Sequence, residues 1–168
     1  MDNIMFCSCG RRATLLKDFR KSMNGCGKIV ATDMSPVAPA LFMADETYIV
    51  PRIDDPSYYE HVLDICEKSK VKAITTLIDP EIEILAKNRE DLLWKGILPL
   101  CPADWTARLC YDKYEMFKYL HDKGVGTILT YNSLEGFKNG LEKGEISFPV
   151  FMKPINGSGS VGIGKVNS

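Results

Sequence analysis

Residues Ile4–Thr32 read IMFCSCGRRATLLKDFRKSMNGCGKIVAT. The apolar run Ile4–Cys7 predicts a strand, the amphipathic stretch Arg12–Met23 a helix, and Lys28–Thr32 a second strand. The same alternation continues outward. Tyr48–Val50 reads as a short strand. Pro56–Ser69 reads as a helix with Tyr59, Val62, Leu63 and Cys66 at helical spacing, and Ala73–Leu77 as a strand rich in β-branched residues. Asp79-Pro80 then reads as a helix start, with Asp79 as N-cap and Pro80 at the first helical position. That helix is expected to run through Ile82, Leu85 and Ala86 to about Trp94. Ile97–Leu100 closes the series as an edge strand, because Pro99 has no N–H to give a ladder. Strand–helix alternation with short connections predicts an α/β fold whose mostly parallel sheet is covered by helices.

From Pro102 the pattern changes. Pro102–Leu109 and Asp112–Lys123 read as consecutive helices, with Asp112 a candidate N-cap and Gly124-Val125-Gly126 ending the second. Thr127–Tyr131 reads as a strand, Ser133–Leu141 as a helix, and Ile146–Lys153 as a buried strand that pairs with Val161–Val166 in a hairpin. The shift from parallel-sheet to hairpin patterning places a boundary within residues 101–126.

Composition narrows the function. The chain has 168 residues, 45% hydrophobic and 26% charged, which is the profile of a globular domain. Residues 1–100 carry 13 basic and 15 acidic side chains and residues 101–168 carry 8 and 7, so neither part has a nucleic-acid or membrane footprint. No apolar run approaches the ~20 residues that span a bilayer, and the acidic, short-run N-terminus does not read as a signal peptide. The six cysteines therefore read as thiols of a cytoplasmic protein. Cys7 and Cys9, two apart on a strand, are expected on one face, and a metal site there would need more ligands than His61 and His121 supply.

Ligands on parallel sheets gather outside the carboxyl ends of the strands. Gly10-Arg11-Arg12, Asp33 and Asp79 fall there. Backbone donors, a helix N-terminus and two guanidinium groups at residues 10–12 could hold a carboxylate or phosphate. A surface arginine pair is the plain alternative, and the sequence lacks a Gly-x-Gly-x-x-Gly fingerprint. Asp33 could bind a hydroxyl or an amine, or serve as a turn residue before Ser35-Pro36. Asp79 is most economically a cap, and Glu81 and Glu83 suit the dipole of the same helix start.

The second concentration of chemistry is Phe148–Gly164, FPVFMKPINGSGSVGIG. A strand delivers Lys153 to a loop of small residues, Asn156, Gly157, Ser158, Gly159 and Ser160, with Val161 and Gly162 after it. A lysine at the end of a buried strand is costly unless an anion meets it; otherwise it snorkels to water. The glycines let backbone N–H groups approach a phosphate, and the serines add donors. Asn-Gly is also a turn signal, but a two-residue turn does not need so many small residues after it. The spacing Gly159-x4-Gly164-Lys165 approaches a P-loop. Val166 stands where serine or threonine is required, however, and strands flank the loop on both sides.

Several stretches resemble one family. Cys9-Gly10-Arg11-Arg12, Ala31-Thr32-Asp33-Met34-Ser35-Pro36, Ala44-Asp45 before Tyr48-Ile49-Val50-Pro51, and Leu77-Ile78-Asp79-Pro80-Glu81 resemble the pre-ATP-grasp domain of ATP-grasp enzymes, in the carbamoyl phosphate synthase large subunit-like branch. Asp112-Lys113 with Phe117, Leu120 and Gly124-Val125 resembles the helix entering the ATP-grasp fold. Phe148–Pro154 with its glycine loop resembles the strand and flexible loop over the triphosphate. At Gly126-Thr127-Ile128 this chain departs from a frequent Pro-Thr-Pro.

The resemblance implies a Rossmann-like pre-ATP-grasp domain over residues 1–110 and the truncated start of an ATP-grasp domain, an incomplete α+β lid, over 111–168. It implies ATP as cofactor, with Lys113, Lys153, Gly157, Ser158, Gly159, Ser160, Val161 and Gly162 at the nucleotide, and Gly10, Arg11, Asp33 and Asp79 near the second substrate. Mg2+ ligands and the adenine hinge are expected beyond the residue matching Ser168, with no metal ligand within this chain and no catalytic residue assigned. The implied activity is ligation of a small-molecule carboxylate to an amine through an acyl phosphate, which this chain alone is not expected to complete. A homodimer is compatible with that reading. The competing class is a non-catalytic Rossmann-like small-ligand-binding module.

Overall fold

The structure, a computed structural model, describes residues 2–168. The chain divides into two compact units, the first ending at Asp104 and the second spanning Trp105–Ser168.

The first unit runs β1 (Asn3–Cys7), α1 (Ala13–Met23), β2 (Ile29–Asp33), a 3-10 turn at Leu41–Met43, β3 (Glu46–Ile49), α2 (Tyr58–Lys68), β4 (Val71–Thr76), α3 (Asp79–Lys87), α4 (Arg89–Trp94) and β5 (Leu98–Pro99). All neighbouring strands pair parallel in the order β3-β2-β1-β4-β5, so β1 is central and the proline-bearing β5 is an edge. This is the α/β parallel sheet the sequence predicts, in the strand order of a doubly wound fold.

Alternation along the strands splits the core in two. Met5, Val30 and Ile74 pack with Tyr58, Val62, Leu85 and Leu92 beneath α2, α3 and α4. Ile4, Phe6, Ile29 and Ala31 pack with Leu16 of α1 and with Leu41. Phe6 meets Phe19 edge-on at 4.8 Å. Every residue of β1 and β2 is buried, which explains why both read as continuous apolar runs. At the amino end of β1, Asn3 is buried but satisfied: its amide donates to Ser69 O at 2.7 Å and accepts Lys28 N–H at 2.9 Å.

Three local expectations change. Asp79 is not the N-cap of α3. Ile78 holds that position with no side-chain cap, and Asp79 is already helical. The helix expected to reach Trp94 breaks at Asn88, which ends α3 and precedes α4 while its side-chain amide donates to Ile84 O at 2.9 Å, the local competition typical of asparagine. Cys7 and Cys9 lie in opposite cores, because Ser8 adopts φ +46° and interrupts the alternation.

The second unit carries all but the first residue of α5 (Asp104–Tyr111), then α6 (Lys113–Asp122), α7 (Leu134–Glu142) and an antiparallel pair, β6 (Val150–Met152) and β7 (Gly164–Val166). Asp112 caps α6, accepting Tyr114 and Glu115 N–H at 2.9 Å each, and Ser133 caps α7 through Gly136 N–H at 3.1 Å. Tyr131, Phe137 and Phe148 form an edge-on aromatic series. The hairpin is shorter than expected, and β6 is not buried: Phe151 and Met152 are 63% and 66% exposed. Thr127–Tyr131 is not a strand. Its β-branched content meets no pairing partner among the described residues, and strand propensity without a ladder does not make a strand. No helix of the described residues is long and apolar enough to cross a membrane.

Candidate functional site

The parallel register brings the carboxyl ends of β1, β2 and β4 side by side, with Phe6 opposite Ala31 and Cys7 opposite Thr76. The turn after β1 contains Ser8 and Gly10 at positive φ, which for Gly10 (+52°) is the conformation glycine adopts most freely. Asp33 at the end of β2 accepts Gly10 N–H at 2.7 Å on one carboxylate oxygen and Ser35 N–H at 2.9 Å on the other. The structure therefore joins Gly10 and Asp33 directly, and the carboxylate shapes both turns. Ala40 N–H adds a bond to Gly10 O at 3.0 Å. Arg11 is exposed just before α1, and Asp79 is exposed at the start of α3.

Sequence reasoning assigns Glu81 no more than a favourable place in a helix dipole, and the structure gives it a different setting. Glu81 is fully buried, hydrogen-bonded by the hydroxyls of Tyr58 and Thr76. Burial lifts its carboxyl to about 7, with Ser8 pulling down and the charge of Asp33 pushing up. The signal that could have found it is spacing, since Glu81 lies four residues before the buried Leu85 and shares its helix face. The thiols on this side are also pushed up by burial, Cys66 to about 12 and Cys7 well above its ordinary value. All six cysteines are free, and the described residues hold no group of three or more metal-ligating side chains.

In the second unit, Lys113 is the first residue of α6, placed there by the Asp112 cap. Its backbone N–H donates to Ile155 O at 3.1 Å, and its ammonium donates to Ile155 O at 3.2 Å and Gly157 O at 2.9 Å. Lys113 and the glycine loop, 42 to 44 residues apart in sequence, are thus one local arrangement. The loop joins β6 to β7 with Gly157, Gly159, Ser160 and Gly162 all at positive φ. At Gly162 an added Cβ would also sit 2.9 Å from Pro154 Cγ. Among the described residues, Val161 is the one amide between Asn156 and Gly162 that donates a backbone hydrogen bond, to Ser158 O at 3.4 Å. Lys153 lies exposed just after β6, its side chain open to solvent. The arrangement is an exposed set of amide donors beside two lysines, which suits an anion with several oxygens.

The fold has counterparts among solved structures. N5-carboxyaminoimidazole ribonucleotide synthetase from Thermotoga maritima superposes with TM-score 0.66 at 21% identity, over 100% of this chain and 42% of that one. The biotin carboxylase domain of Hydrogenobacter thermophilus 2-oxoglutarate carboxylase, solved with MgADP and bicarbonate, gives TM-score 0.73 at 23% identity over 99% and 37%. L-amino acid ligase from Bacillus licheniformis gives 0.71 at 18% over 100% and 39%. The chain thus spans about two fifths of the length of these structures. At such identities the likeness shows the fold, and it includes both units. No curated protein matches the sequence closely enough to count as a relative. The family model for the PylC-like N-terminal domain matches residues 4–100, more than half of the chain. With these folds it bears out the resemblance to the N-terminal portion of ATP-grasp enzymes, and the chain belongs to the PylC-like N-terminal domain family.

Proposed function

We propose that this chain forms the N-terminal part of an ATP-dependent carboxylate–amine ligase. In this reading residues 1–110 are the pre-ATP-grasp domain and residues 111–168 begin the ATP-grasp domain. The observation that carries the reading is the pairing of Lys113 with a loop whose amides from Asn156 to Gly162 are, among the described residues, nearly all without a backbone acceptor. Those amides and the ammonium groups of Lys113 and Lys153 fit the oxygens of a nucleotide triphosphate. Bound ATP would supply a phosphoryl group to a carboxylate, giving an acyl phosphate that an amine then attacks with release of phosphate. The residues of this chain bind and orient: Lys153 and the loop amides hold the phosphates, and Lys113 ties the loop to α6. Gly10, Arg11, Asp33 and Asp79 border the second substrate. Mg2+ would accompany the nucleotide, as it does in the carboxylase structure solved with MgADP, with its ligands outside these residues. The same structure is a dimer, and we extend that assembly to this chain together with a cytoplasmic setting.

Isothermal titration of Mg-ATP into the complete enzyme tests the reading. Lys153→Ala is expected to weaken binding tenfold or more, in line with ~1.5–3 kcal/mol for a hydrogen bond to a charged group. Unchanged affinity removes the nucleotide role of Lys153. A thermal shift with a nicotinamide or another small ligand in the first unit, without any response to Mg-ATP, supports instead the non-catalytic binding module.

A further inference from the structure

A buried carboxyl in the first unit has no part in the proposed ligase function. Glu81 is fully buried in the first turn of α3. Its two carboxyl oxygens are held by different elements, one by the Tyr58 hydroxyl of α2 and the other by the Thr76 hydroxyl at the end of β4. Thr76 Oγ1 in turn accepts Ile78 N–H at 3.2 Å. One side chain therefore fastens α2, β4 and the β4–α3 turn together, and that turn presents Asp79 at the carboxyl edge of the sheet.

The groups facing Glu81 are Cys7 from β1, Ser8 after it, Asp33 from β2, Tyr58 from α2 and Thr76 from β4. None is a cation, and the charge of Asp33 repels an ionised Glu81. The Cys7 thiol stays neutral, being pushed well up by its own burial. The Thr32 hydroxyl, also buried, makes no well-formed hydrogen bond among the described residues. A buried carboxyl with hydroxyl donors and no cation among the groups facing it is caught between opposing demands. Its hydrogen bonds are fully met when it is ionised, and its burial is least costly when it is neutral.

We infer that Glu81, Tyr58 and Thr76 form a protonation-controlled clamp that sets the conformation of the β4–α3 turn. The ionised carboxylate accepts from both hydroxyls. When a proton from solvent binds one carboxyl oxygen, that O–H must donate. The hydroxyl facing that oxygen, Tyr58 or Thr76, reverses to become an acceptor, since each hydroxyl oxygen has a lone pair to spare. The tie of Glu81 to α2 or to β4 then changes partner geometry, and the turn that carries Asp79 responds. The clamp does not depend on the nucleotide reading, because every group in it lies in the first unit and its test uses no ligand.

Two-dimensional amide NMR of the full chain across about pH 5.5–8.5 reads the clamp directly. The signals of Thr76, Leu77, Ile78 and Asp79 are expected to titrate together with a midpoint between about 6 and 8. Glu81→Gln should abolish that shared titration while keeping a dispersed spectrum. Tyr58→Phe, which removes a donor to the carboxylate, should raise the midpoint, and Asp33→Asn, which removes a repelling charge, should lower it. His61→Gln, on the exposed side of α2, should leave it unchanged. Turn signals that stay flat in the wild-type chain, or that titrate identically in Glu81→Gln, overturn the clamp. The carboxyl carbon shift of Glu81 in the wild-type chain decides the same question without any variant: a midpoint below about 5 overturns the clamp.

Discussion

The two units solve the problem of burial differently. In the first, a central parallel sheet hides all of β1 and β2 and is covered on both faces. In the second, α6 buries no residue, α7 buries only Gly140, and Phe151 and Met152 of β6 stand in the open. Order in the second unit comes instead from local devices: the Asp112 and Ser133 caps, an aromatic series, and the lysine that binds loop carbonyls. A unit held by caps and hydrogen bonds opens more readily than one held by a core. The glycine loop, in which Val161 is the one described amide from Asn156 to Gly162 that donates a backbone hydrogen bond, belongs to the former.

Four measurements test this contrast. Phe6→Ala should have the largest effect, about 3–5 kcal/mol on equilibrium unfolding of the first unit, because the ring is 1% exposed and packs against Phe19. A loss below about 1 kcal/mol would mean that the sheet does not anchor the unit.

Glu81 should make the same unit pH-sensitive. Its carboxyl is raised from an ordinary 4.5 to about 7, so the folded state binds the proton more tightly than the unfolded chain does. The contribution is fully present below about pH 4.5 and is lost as pH rises through about 7. At ~1.4 kcal/mol per unit the loss is on the order of 3 kcal/mol. The lowered carboxyls of Glu46, Asp54 and Asp55 act at more acid pH, in the opposite direction. Urea titrations at about pH 5 and pH 7.5 should therefore show the wild-type chain weakening and Glu81→Gln holding level. An equal loss of stability in the two chains would mean that the buried carboxyl is not its source.

Asp112→Ala should cost about 1 kcal/mol, the usual loss for an N-cap, felt in the second unit alone. Amide exchange should speed up in α6 and in the loop that Lys113 holds, with the first-unit amides unaffected. The smallest effect is expected from Phe151→Ala, under about 0.5 kcal/mol, because the ring is 63% exposed. A loss comparable to that of Phe6→Ala would erase the contrast between the units.

Much of the first unit is legible because burial and sequence repeat together there. Continuous apolar runs mark β1 and β2, helical spacing marks α2, and Pro99 marks an edge. Thr127–Tyr131 misleads for the complementary reason: its residues favour strands, but no neighbouring strand among the described residues supplies a ladder. Around the candidate phosphate site, the glycines and serines announce a loop and Asp112 announces a cap. The grip of Lys113 on Ile155 and Gly157 is invisible in the sequence, since the partners are backbone carbonyls that carry no sequence signature.

The sequence by itself determined most of the order of elements, the parallel sheet, the cap of α6 and the glycine loop, because periodicity and turn chemistry are local properties. Only the tertiary structure decided that Asp33 ties Gly10, that Cys7 and Cys9 face opposite cores, and that Glu81 lies sealed between Tyr58 and Thr76. Each depends on which strands are neighbours and on one residue's φ, and a carboxylate on a helix reads as solvated until packing closes over it.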